Sequence, residues 1–207
     1  LLSKHAYDLG ASEVHVNWRD GDLTKLKYEN APMEVFENFP KWYADAQEYY
    51  AKKGAGFISI SSDDPELLKD VDPKKVAANN KSSSLALKEW RKYTMNDINS
   101  WCVVSIPSKD WAKRIFPDLS EDAAVEKLWK AIFDATRMNS EDPVTAWKDH
   151  MNTLEEKVNY LNEKNFKTLH YSSKNGTDLQ VDLPLGHIWA GGGGKNSKGD
   201  YFVANMP

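Results

Sequence analysis

The chain carries one cysteine, Cys102, so no disulfide can form within it. That thiol sits in the apolar run WCVVSI and reads as a buried structural residue. A chain without disulfides is expected in the cytoplasm. A surplus of positive charge is also lacking. Lys and Arg number 27 against 31 Asp and Glu, and the net charge is −4. Nucleic-acid and anionic-membrane surfaces need clustered Lys and Arg, so neither partner is expected. No apolar run approaches the roughly 20 residues that cross a bilayer, which argues against a membrane-spanning segment. Internal repeats and low-complexity stretches are missing as well. What the chain has in quantity is aromatic residues. Eight tryptophans stand in 207 residues, and Trp, Tyr and Phe make 12%. Such a content builds a core or an interface, with a carbohydrate or peptide groove as the less common use.

Residues 1–9 pattern as the end of a helix with Gly10 past its C-terminus. EVHVNW, 13–18, alternates Val14, Val16 and Trp18 with polar residues, the period of a strand. From Asp22 to Lys53 the spacing is helical and is divided by Pro32 and Pro40. FISISS, 57–62, is a second strand. Asp72-Pro73 starts a helix that should reach about Tyr93, although NNKSSS, 79–84, is poor helix material. INSWCVVSIP, 98–107, reads as a central strand covered on both faces. WAKRIFP, 111–117, is a short helix, and Ser120 caps the next one. That helix carries the apolar stripe Val125, Leu128, Trp129, Ile132 and Phe133. A further helix follows Asp142-Pro143, and Trp147, Met151, Leu154, Val158 and Leu161 form a seam suited to a neighbouring helix. KTLHYSS, the KNGT turn and DLQVDL then form a β-hairpin, followed by a Gly-rich loop and a last strand, DYFVA. The expected fold class is α/β. A layered α/β/α domain over 1–163 leads into a β-hairpin-rich segment, 164–207, that opens a second domain. The chain begins inside an amphipathic pattern without Met and stops at Pro207 after strands and turns. An internal piece of a larger protein is therefore expected.

The Gly quartet 191–194 invites a phosphate-loop reading, but the spacing fails. Trp189 stands where a Walker loop needs its first Gly, and Asn196 follows Lys195 in place of Ser or Thr. Asn196 also takes the last Gly position of G-x-G-x-x-G, and no helix follows to receive an anion. A flexible or close-approach loop is the default. None of His5, His15, His150, His170 and His187 lies in H-E-x-x-H or beside a second ligand at metal spacing. His150 reads as a surface residue, while His170 and His187 flank the hairpin and can meet in space. Asp178 and Asp182 share a face of the second hairpin strand. Two carboxylates so placed suit a metal or acid–base work, and equally a solvated face. Asp63-Asp64 and Glu121-Asp122 precede helices and answer their positive ends. No G-x-S-x-G nucleophile signature occurs. These residues alone do not make an active site. The sequons at Asn80 and Asn175 read as chance matches.

Longer motifs are more specific. The tail LHYSSKNGTDLQVDLPLGHIWAGGGG…YFVANMP resembles the corresponding segment of the M29 metallo-aminopeptidases. So do SSDDPELLKDVDPKKVA, LALKEWR, SWCVVSIPSKDWAKRIFPD and DPVTAWKDH, in the same order, and the likeness covers roughly 11–207. The resemblance implies an exopeptidase that removes N-terminal amino acids from peptide substrates. It implies two divalent metal ions, zinc or cobalt, in a cytoplasmic homodimer. Two close metals can deprotonate a bridging water and polarise the scissile carbonyl, with a carboxylate as general base. In that family the first metal ligand is a Glu just beyond NMP, and the other ligands and a catalytic Tyr follow. No residue of this chain matches a family ligand or catalytic residue, so none is expected to bind metal here and the chain alone is expected to be inactive. The catalytic C-terminal half would be its missing partner. His187 and Asn205 lie inside matching motifs and are the residues expected to face the site. A different class of function stays open beside this one: a stand-alone α/β module binding a nucleotide or peptide with the Gly quartet and the aromatic segment 36–50.

Overall fold

The computed structural model describes residues 1–62 and 64–204. Helix α1, Leu2–Asp8, ends at Gly10, whose φ of +96° no β-carbon obstructs and whose N–H donates to the Tyr7 carbonyl at 2.9 Å. Helix α2, Gly21–Asn30, starts where the Asp20 carboxylate accepts the Leu23 N–H at 2.8 Å. It stops at Ala31, whose extended backbone suits the residue before Pro32. Helix α3, Glu34–Glu37, is a single turn, and α4, Lys41–Lys52, follows Pro40. Strand β1 is Phe57–Ser61. Helices α5, Pro73–Ala86, and α6, Lys88–Met95, lead to strand β2, Trp101–Ser105.

Helix α7, Lys109–Ile115, and α8, Glu121–Ala135, are capped by Ser108 and Ser120, whose hydroxyls accept the Trp111 and Ala123 N–H groups. Helix α9, Pro143–Lys164, is capped by Asp142 and closed by Asn165 in the left-handed region. Strands β3, Thr168–Ser172, and β4, Asp178–Asp182, form the hairpin. Strands β5, Gly194–Lys195, and β6, Tyr201–Phe202, form a last short pair.

The chain folds as two compact units, 1–39 with 63–83, and 40–62 with 84–207. In the first, the rings of Tyr28 and Phe36 stack at 4.7 Å and are buried with Val71. Helix α5 is held to this core by Lys75, which donates to the Tyr28 carbonyl at 2.7 Å, and by Ser82, which donates to the Phe36 carbonyl at 2.6 Å. That anchorage explains why NNKSSS stays helical against its propensity: the Ser82 hydroxyl is satisfied by a carbonyl outside the helix. The helix expected to reach Tyr93 in one piece is instead interrupted at Leu87, between α5 and α6.

The strand expected at 13–18 does not form. Alternation marks a segment that fits a pleat, but a strand needs a ladder partner. Among the described residues the strand pairs are β1 with β2, β3 with β4, and β5 with β6. Trp18 is left 90% exposed.

In the second unit β1 and β2 run parallel, Phe57 opposite Trp101 through Ser61 opposite Ser105. A parallel pair needs a long crossover, which α5 and α6 supply. The other edge of β2 is also engaged: the Val103 N–H donates to the Ala204 carbonyl at 2.8 Å. Both edges of the strand are engaged, but its residues are half-buried where cover on both faces was expected, and it is shorter than 98–107. Asn99 is spent on the loop before it, donating to the carbonyls of Ala51 and Ala55. Below, Ala112, Ala124 and Leu128 form the buried contact of α7 with α8, joined by Val125 and Ile132. Trp129 and Phe133 of the same stripe pair with each other at 5.2 Å, and Phe133 stays partly exposed.

Candidate functional site

The hairpin separates its side chains by strand alternation. Leu169, Tyr171, Leu179 and Val181 take one face, and His170, Asp178, Gln180 and Asp182 the other. The bend is one residue longer than a two-residue Asn-Gly turn. The Ser173 N–H reaches the Thr177 carbonyl, and Gly176 supplies a φ of +96°. On the polar face the His170 Nε2 lies 2.5 Å from an Asp178 carboxylate oxygen. Asp182 accepts the Thr168 hydroxyl at 2.9 Å. Both strands are open to solvent on this side. The two aspartates are thus used separately, one by an imidazole and one by a hydroxyl.

His187 takes other partners than His170. Its Nδ1–H donates to the Pro184 carbonyl at 3.0 Å, and its ring stands edge-on to Trp189 at 6.0 Å. Asn205 lies outside the described residues, as does Asp63; Asp64 accepts the Glu66 N–H in a turn. His150 is half-buried rather than a surface residue. It accepts the Arg137 guanidinium at 2.9 Å and meets the Trp147 ring edge-on. His5 lies 3.9 Å from Asp8, and His15 bonds Asn17. Glu121, in the first turn of α8, accepts Lys109 at 3.0 Å. Burial pushes the Cys102 thiol above its ordinary range, so it is a poor nucleophile at neutral pH. Among the described residues no group of three or more His, Cys, Asp or Glu side chains could hold a metal ion. The described donor set does not fit a metal centre.

The Gly quartet is a close-approach loop. A β-carbon on Gly191 would lie 3.3 Å from Val158, one on Gly192 within 2.4 Å of Met151 and 2.9 Å of Leu154, and one on Gly193 within 2.2 Å of the Tyr201 hydroxyl. The seam of α9 therefore meets this loop, where the sequence suggested a neighbouring helix. Glycine is required because backbone sits directly on side chains. The opposite side of the loop borders a cavity of about 390 Å³ lined by Asp97, Trp101, Ala190, Gly191–Gly194, Phe202 and Ala204. Asp97 sits in the left-handed region at φ +51°, and its carboxylate accepts the Trp101 indole N–H at 3.2 Å. These side chains are absent from the candidates read in the sequence. Positive φ at an aspartate leaves no motif, and the lining is drawn from segments far apart in the chain.

The sequence model of the family described as "Thermophilic metalloprotease (M29)" matches residues 1–207. Aminopeptidase AmpS of Bacillus subtilis (strain 168) is 49% identical over 207 residues, covering 100% of this chain and 50% of that protein. Aminopeptidase 2 of Geobacillus stearothermophilus is 42% identical over 206 residues, again 100% of this chain and 50% of its own length. The solved structure of wild-type AmpT from Thermus thermophilus superposes with a TM-score of 0.90 at 34% identity, covering 99% of this chain and 50% of that one. This chain spans about half the length of the relatives it matches.

Proposed function

Because this chain belongs to the M29 metalloprotease family, we propose that the protein carrying it is an aminopeptidase, hydrolysing N-terminal amino acids from peptides. The observation that carries the reading is a match without a gap in coverage: the family model and the 49%-identical AmpS both span all 207 residues. The long motifs of the tail lie within that match and support the same reading.

The whole enzyme is proposed to use two divalent metal ions, zinc or cobalt, and to act as a homodimer in the cytoplasm. The described residues here do not form a ligand set, so no catalytic step is routed through them. The metal ligands and the catalytic residues are proposed to follow Pro207. Residues 1–163 then form an N-terminal α/β domain and 164–207 open the catalytic one, with His187 and Asn205 facing the site. The role left to this chain is structural support and shaping of the substrate chamber. Nucleotide binding by the Gly quartet gains no support: its backbone is committed to α9 and Tyr201.

The test is release of free amino acid from unblocked and N-acetylated short peptides with added cobalt or zinc. The 207-residue chain is compared with a chain extended through the remaining half found in its relatives. Activity on unblocked peptides only, and only in the extended protein, is the expected result. An inactive extended protein overturns the reading. Activity in the 207-residue chain itself would overturn the assignment of the metal ligands to residues that follow Pro207.

A further inference from the structure

We propose that the cavity between the Gly quartet and the Asp97–Trp101 pair is a binding site for a small organic cation, a primary ammonium on a short aliphatic stem. The charge would rest on Asp97 and the stem against the rings of Trp101 and Phe202. This site does not depend on the aminopeptidase reading.

The sign of the ligand follows from the lining. Of the described residues that border the cavity, Asp97 alone is charged, and the rest are aromatic side chains, alanines and bare glycine backbone. One carboxylate oxygen of Asp97 is occupied by the Trp101 indole at 3.2 Å, which fixes the direction of the other. That second oxygen points over Gly194, where an added β-carbon would lie 3.8 Å from it and 3.9 Å from the Phe202 ring edge. Carboxylate and aromatic ring edge thus flank one space that no described side chain fills. A cation gains from the carboxylate, while the ring edge offers contact to an aliphatic stem and no attraction to the charge itself. An anion meets the carboxylate unfavourably, and a neutral group leaves it unused.

The nearby lysines do not supply that cation. Lys195 follows Gly194 on β5 and so takes the opposite face of the strand. The Lys198 ammonium is turned to the end of α4, where a β-carbon on Gly54 would meet it at 2.9 Å. The volume, about 390 Å³, sits within the range of roughly 300–1,000 Å³ typical of small-ligand pockets. The left-handed backbone of Asp97 ends α6, its N–H donating to the Thr94 carbonyl at 3.2 Å, and places the carboxylate just past the helix.

The experiment is calorimetric titration of the purified protein with n-butylammonium chloride and with n-butanol, repeated on Asp97→Asn. Asparagine tolerates the left-handed region, so the variant keeps the fold, checked by circular dichroism. The position is read from amide and indole NMR shifts. Expected are saturable butylammonium binding with a Kd of about 1 mM, weaker butanol binding, and a Kd about tenfold higher in Asp97→Asn. Shifts should centre on the Trp101 indole N–H and the amides of Gly191–Gly194. Any one of three results overturns the proposal: no saturation by about 50 mM butylammonium, equal affinity in the variant, or shifts centred elsewhere.

Discussion

Asn162 holds Trp189 by both of its main-chain groups. The Asn162 amide donates to the Trp189 carbonyl at 2.9 Å, and its carbonyl oxygen accepts the Trp189 N–H at 2.8 Å. One side chain of α9 thereby fixes the segment that connects the hairpin to the Gly quartet, two residues after His187. Replacing it, Asn162→Ala, should cost about 1–2 kcal/mol, two exposed hydrogen bonds' worth. Loss of protection of the Trp189 amide in hydrogen exchange, with β3 and β4 unchanged, is the expected signature. An unchanged Trp189 exchange rate would show that the clamp does not order this segment.

The Gly quartet should tolerate no side chain at Gly192. Gly192→Ala combines a backbone at φ +79° with a β-carbon 2.4 Å from Met151. The left-handed conformation costs about 1–2 kcal/mol, and overpacking against Met151 and Leu154 adds about 1–3 kcal/mol. Gly186→Ala is the control, since its φ is +75° but nothing lies within 4 Å. Urea midpoints should fall further for Gly192→Ala than for Gly186→Ala; equal midpoints would refute the close packing of loop on helix.

Asn99 is 4% exposed and donates to two carbonyls, Ala55 at 2.8 Å and Ala51 at 3.0 Å. It closes the α4–β1 connection against the loop entering β2. Asn99→Ala leaves those carbonyls without this donor and should destabilise by about 1–3 kcal/mol. Asn99→Leu, similar in volume, should not recover the loss. Recovery by leucine, measured in denaturant melts, would mean that the site needs volume and not a donor.

Asp142 gives a pH dependence with a definite sign. Its carboxyl is held below the ordinary aspartate value, first by the Thr145 hydroxyl and then by the N–H groups of Thr145 and Val144. A folded value below the unfolded one means that protons bind the unfolded chain more readily. The cap's contribution is complete above the ordinary range near about pH 4 and is lost as pH falls through it to the lower folded value. The stability difference between the protein and Asp142→Ala should therefore narrow on acidification from neutral pH. A difference that stays constant would remove Asp142 as a charged cap.

The parts legible in the sequence are those whose cause is local. Ser120 and Asp142 cap because a short oxygen-bearing side chain can reach an N–H two or three residues on. The hairpin was readable because its alternation and its Asn-Gly bend lie within one stretch of chain. Family membership was readable because long motifs stand in register. Val14–Trp18 was misleading because alternation cannot name a ladder partner, and NNKSSS because propensity cannot see the Phe36 carbonyl that Ser82 finds. The seam of α9 was correct as a seam, but its occupants, Gly191 and Gly192, offer no apolar side chain for a pattern to register.

By itself the sequence determined the α/β class, the helix boundaries set by caps and prolines, and the M29 family. Each of these depends on neighbours along the chain or on motifs preserved as strings. Only the tertiary structure decided that Asp97, Trp101, Gly194 and Phe202 border one cavity, that Gly192 rests on Met151, and that His170 and His187 serve different partners. Those relations arise when distant segments meet. The meeting is selected by packing and hydrogen-bond satisfaction over the whole unit, and no short window of residues contains it.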